Sequence, residues 1–99
     1  MQNVSNESEK FWATLALNLT IAARETYVVQ SEEIAEPRKL RAYNEMLHRI
    51  CSRLATGNNT SDSWLLPMLH EIGERSGTLG SVNWAVAEAR KKAESSSSI

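Results

Sequence analysis

Apolar residues recur at steps of three and four along most of this chain, the spacing of an amphipathic helix. Phe11/Trp12, Leu15, Leu19, Ala22, Thr26 and Val29 trace one such face, and the spacing predicts a helix over residues 7–29. Asn6 and Glu9 stand at capping-box positions before it. Leu17, Ile21 and Val28 lie off that face and make this helix apolar on a second side. A helix of this kind is expected to be central, touched by neighbours on more than one side.

Leu40, Tyr43, Leu47, Ile50 and Leu54 form the cleanest pattern and predict a second helix over 37–56. Pro37 suits its first turn, where no N–H is needed, and Gly57 suits a left-handed end. The acidic, aperiodic stretch from Gln30 to Glu36 reads as a loop. Trp64, Leu65, Met68, Leu69 and Ile72 predict a third helix over 62–76, with Pro67 tolerable only near its first turn and Gly77 at its end. Val82, Val86, Ala89 and Ala93 predict a fourth over 81–94, capped by Ser81. Residues 1–5 and the serine-rich stretch 95–99 are expected to be disordered tails on a single helical domain spanning 6–94. The expected fold is all-α, a small antiparallel bundle of about four helices. Its predicted core is Leu15, Leu19, Leu40, Tyr43, Leu47, Ile50, Leu54, Leu69, Ile72 and Val86.

Composition adds limits. The chain has 99 residues, 41% of them apolar and 23% charged, which is the balance of one folded domain. A net charge of −1 gives no global attraction to nucleic acid or to an anionic membrane. The charge is unevenly spread. Residues 37–55 carry five bases (Arg38, Lys39, Arg41, Arg49 and Arg53) against Glu45 alone, whereas residues 1–36 carry six acids and two bases. Cys51 is the single cysteine, so neither an intrachain disulfide nor a cysteine zinc cluster is expected. The first residues lack the basic and apolar regions of a signal peptide, and the expected location is cytoplasmic. The triplets Asn3-Val4-Ser5 and Asn18-Leu19-Thr20 are then chance matches to a glycosylation signal.

The first candidate site is the polar face of the second helix. At about 100° per residue, Arg41, Asn44, Glu45, His48 and Ser52 share one sector opposite the predicted seam. A guanidinium, an amide, a carboxylate, an imidazole and a hydroxyl on one stripe can bind an anion or exchange protons. The plainer reading is a solvated face, on which Glu45 pairs with Arg49 one turn on. Within the stripe, the string Arg41-Ala42-Tyr43-Asn44-Glu45-Met46-Leu47-His48 resembles the Arg-x4-6-His element of HEPN ribonuclease domains. That resemblance implies metal-independent RNA cleavage by Arg41 and His48 across a dimer interface. The element stands in the second helix here, whereas the family carries it near the C-terminal part of its bundle.

The second candidate is residues 69–86, which resemble a DNA-binding helix-turn-helix with Ile72, Gly77 and Val86 at packing positions. Thr78 and Asn83 depart from that pattern. The would-be recognition helix has no base before Arg90, a poor footprint for phosphate contacts. Binding to duplex DNA is therefore expected to be weak and non-specific. Trp12, Trp64 and Trp84 are expected on core or edge faces, an exposed one marking an interface. Cys51, flanking the apolar seam of the second helix, is expected to behave as a small hydrophobe, and His70 to be a partly buried structural histidine.

These observations favour an interaction module without catalytic residues, metal or cofactor, assembled as a homodimer and open to a protein partner. The core of so short a chain is small, and the second apolar face of the first helix asks for cover. The basic second helix of one copy is expected to meet the acidic 32–36 loop of the other.

Overall fold

A computed structural model describes residues 3–30, 37–57, 60 and 62–97. They form four helices: α1 (Asn3–Gln30), α2 (Pro37–Thr56), α3 (Asp62–Ser76) and α4 (Leu79–Ser97). There is no strand among the described residues, and the fold is a small all-α bundle. Successive helices run antiparallel. The C-terminal part of α2 and the first residue of α3 meet the N-terminal part of α1 through Arg53, Asp62 and Ser8. α3 then returns to the start of α2, and Lys39 lies against Gly77. Each helix packs on two others, α1 on α2 and α4, and α3 on the same pair. The expectation that α1 has neighbours on two sides is met by α2 and α4.

The chain ends of the helices follow local chemistry. Gly57 takes φ +68° and donates its N–H to the Arg53 carbonyl at 3.1 Å, a single-bond left-handed cap. Gly77 takes φ +77°, and the N–H of Thr78 reaches back to the Gly73 carbonyl at 2.9 Å, closing a Schellman turn. The start of α4 differs from expectation. Thr78, not Ser81, holds the cap position, and its carbonyl accepts the first helical bond from Val82 at 3.0 Å. Its hydroxyl is buried against that of Ser76 at 2.8 Å. α1 likewise starts at Asn3, so Asn6 lies inside the helix instead of capping it. Pro67 sits beyond the first turn of α3 and takes one hydrogen bond from the ladder. Its would-be acceptor belongs to the exposed Ser63.

The core is built from Trp12, Leu15, Leu19 and Ala22 of α1, Ala42, Tyr43, Met46 and Ile50 of α2, Leu65, Leu69 and Ile72 of α3, and Val82, Ala85 and Ala89 of α4. Leu15, Leu19, Tyr43, Ile50, Leu69 and Ile72 are buried as the periodicity predicts. Leu40, Leu47, Leu54 and Val86 are only half-buried. On α2 the correction is systematic. The buried line runs Tyr43, Met46, Ile50, Arg53, so the helix is turned by less than one residue step from the predicted seam. Met46 is fully buried where Leu47 was expected, and Cys51 is exposed.

Candidate functional site

The turned α2 carries its polar stripe directly outward. Arg41, Asn44, Glu45, His48 and Ser52 are all exposed. Glu45 accepts two hydrogen bonds from Arg49, the closer at 3.1 Å, as the i,i+4 spacing requires. The stripe does not converge on one point. Its two ends line different clefts, one on each half of the α2–α3 junction.

His48 and Ser52 belong to the cleft at the α2–α3 corner, about 320 Å³, with Arg49, Thr56, Thr60 and the half-exposed Trp64 around a floor of Arg53 and Leu65. Arg41 and Glu45 belong to the cleft at the opposite end, about 230 Å³, with Arg38, Ala42, Ile72, Arg75 and Ser76. Asn44 lines neither. Arg41 and His48 are seven residues apart, about 10 Å along the axis, on the same exposed face. A third groove, about 390 Å³, separates α3 from α4 between Leu66, Pro67, Val82, Val86 and Ala87. His70, Asn83 and Arg90 rim it, and His70 is exposed, not partly buried as expected.

The strongest electrostatic feature escaped the periodicity. Arg53 is buried although fully charged, with its side chain 2% exposed. Its Nε and Nη2 donate to the two Asp62 oxygens at 2.8 and 2.9 Å, its Nη2 also donates to Ser8 Oγ at 3.0 Å, and its Nη1 meets Glu9. The hydrogen bond with Asp62 raises the Arg53 pKa further, against the opposing effect of burial. The same bond holds the Asp62 carboxyl below its usual range, with smaller help from Ser8 and Trp12. One residue thus ties α1, α2 and α3 together. The sequence offered only a base in the last turn of α2, where the helix dipole is explanation enough. What buries Arg53 is a pair of carboxylates from distant segments, which local spacing does not reveal.

Asn18, buried in α1, donates to the Ala85 carbonyl of α4 at 3.1 Å. Among the described residues no buried side-chain nitrogen or oxygen lacks a partner, and no group of acids, histidines and cysteine is spaced to hold a metal ion. No helix of the described residues is long and apolar enough to cross a membrane.

Apolar side chains remain uncovered. Leu17 and Ile21 of α1 are 58% and 40% exposed, and Trp84 of α4 is 45% exposed. The Asn18–Ala85 bond sets α1 and α4 in register; Ile21 stands one turn beyond Asn18 on α1 and Trp84 next to Ala85 on α4, both exposed. The acidic 32–36 loop expected to meet α2 across a dimer lies outside the described residues.

Comparison of the chain with protein families, with curated proteins and with solved structures finds no match.

Proposed function

We propose that this chain is a small, non-catalytic helical interaction module that works as a homodimer, with the outer seam of α1 and α4 as its self-association face. The observation that carries the reading is the exposure of Leu17 and Ile21 on a helix whose other faces are already packed by α2 and α4. Large apolar side chains gathered on one surface mark an interface more often than a free face. Trp84 extends the patch across the seam, and aromatic residues of this kind anchor protein contacts.

The surroundings suit a two-fold. Glu25 lies one turn beyond Ile21 towards the C-terminal end of α1, and Lys91 lies two turns beyond Trp84 on α4, at the other end of the patch. A dyad between Leu17 and Ile21 sets α1 antiparallel to its copy and brings Glu25 of each protomer to Lys91 of the other. The exposed thiol of Cys51 fits a reducing compartment, and the proposed location is the cytoplasm.

Sedimentation equilibrium over a wide concentration range tests the reading. The expected result is a species of twice the 11.1 kDa chain mass, converted to monomer by Leu17→Asp without loss of helix. A species that stays at the chain mass at the highest concentrations overturns it.

A further inference from the structure

The cleft between the start of α2 and the end of α3 has a chemistry independent of the dimer face. Arg38, Arg41 and Arg75 line it from two helices, and all three are exposed. None of them forms an ion pair with a described residue, whereas Arg49 and Arg53 both do. Among the described residues of the lining Glu45 is the one carboxylate, and it is bound to Arg49 on its far side. The floor is uncharged: Ala42 and Ile72 are buried, and the Ser76 hydroxyl is spent on the Ile72 carbonyl and on Thr78.

Two physical costs meet here. Three guanidiniums around a cleft of about 230 Å³ repel one another. Arg38 also stands in the first turn of α2, with no acid beside it in that turn, at the end where the helix dipole disfavours a cation. A protein of net charge −1 has no general need to concentrate bases at this point. One anion in the cleft would relieve both costs. Guanidiniums match phosphate oxygens with paired, planar hydrogen bonds, which a carboxylate satisfies for one arginine but not for three.

We propose that this cleft is a binding site for the phosphoryl group of a small molecule, held by Arg38, Arg41 and Arg75. Arg38 and Arg41 stand one turn apart on α2 and grip from one wall, and Arg75 closes from the other. Glu45 keeps the Arg49 charge turned away from the ligand.

Calorimetric titration of the full chain at low ionic strength, with inorganic phosphate, pyrophosphate and acetate as separate probes, tests the assignment. The expected result is saturable binding of phosphate, tighter for pyrophosphate, with acetate far weaker. Arg75→Ala and Arg41→Ala should each weaken pyrophosphate binding by about tenfold or more. Arg90→Ala, an exposed arginine of α4 outside the cleft, should leave it unchanged. All three positions are exposed, so circular dichroism should match the parent chain. Absence of saturable binding, equal losses for Arg75→Ala and Arg90→Ala, or acetate binding as tightly as phosphate would each overturn the proposal. Whether the chain dimerises does not enter these outcomes.

Discussion

Arg53 and Asp62 are joined by two parallel hydrogen bonds, Nε to Oδ1 at 2.8 Å and Nη2 to Oδ2 at 2.9 Å, across the turn between α2 and α3. A fork of this geometry fixes orientation as well as proximity. Asp62 is the first residue of α3, where a negative charge also favours the helix dipole. Ser8 and Glu9 extend the pair to α1. The corner of the bundle is therefore set by charge geometry and not by apolar packing alone.

Removing the guanidinium leaves two carboxylates facing an emptied site. Arg53→Ala should destabilise the fold by about 2–4 kcal/mol in urea melts, towards the lower end because Asp62 and Glu9 are partly open to water. Arg53→Lys keeps the charge but loses the fork, and should cost about 1–2 kcal/mol. Losses within about 0.5 kcal/mol for both would mean that the network is incidental to stability.

The same pair gives the fold an acid limit. The Asp62 carboxyl titrates below its ordinary range because Arg53 binds its charged form. A group with a depressed folded pKa contributes stability that is complete above its unfolded value, about 3.9 for aspartate. That contribution declines as pH falls below this value and is gone once pH has passed the folded value. Thermal melts in low salt should therefore show a loss below about pH 4 that Asp62→Asn removes in part. The variant should be less stable than the parent at neutral pH and closer to it in acid. Identical acid profiles for the two proteins would contradict the assigned role of Asp62.

The rotation of α2 is directly measurable. Met46 is fully buried, Leu47 is half-buried and His48 is exposed. Met46→Ala should cost about 2–4 kcal/mol, Leu47→Ala clearly less, and His48→Ala within about 0.5 kcal/mol. Chemical denaturation of the three variants fixes the order. A larger loss at Leu47 than at Met46 would restore the seam that the spacing predicts.

That difference shows what was legible in the chain. The bounds of α2 and α3 follow from Pro37, Gly57 and Gly77, because each of those residues acts through its own backbone. The face of α2 was harder, because two lines fit the spacing. Tyr43, Leu47, Ile50 and Leu54 are apolar throughout, whereas Tyr43, Met46, Ile50 and Arg53 end on a charge. The second line is the buried one, since Glu9 and Asp62 compensate Arg53 from other helices. The five residues of the polar stripe are all exposed along α2. The stripe's partition between two clefts depends on Arg75, Thr60 and Trp64, which lie on the far side of a turn.

Two glycines of the α3–α4 hairpin should respond in opposite directions to the same change. Gly73 is buried where α3 crosses the start of α4, and a Cβ there would stand 3.1 Å from Val82 Cγ2 and 3.2 Å from the Cα of Leu79. The Val82 methyl can turn away, but the Leu79 backbone is less free. It follows Thr78, whose N–H is bound to the Gly73 carbonyl and whose hydroxyl is bound to Ser76. An added methyl must push the first turn of α4 outward and strain that Schellman closure. Against this stands the gain in helix propensity from glycine to alanine, about 1 kcal/mol. Overpacking of a held contact costs about 1–3 kcal/mol. The clash should prevail, so Gly73→Ala should lower stability by about 1 kcal/mol, and Gly73→Val by more. Gly80 lies in the first turn of α4, is exposed, and an added Cβ there would meet nothing within 4 Å beyond its chain neighbours and its own helix backbone. Gly80→Ala should therefore stabilise the protein, by a few tenths of a kcal/mol to about 1 kcal/mol, through the lower entropy of the unfolded chain. Paired thermal melts of the two variants separate backbone entropy from helix contact. If both alanines stabilise alike, the approach of α3 to α4 at Gly73 is looser than 3.2 Å implies.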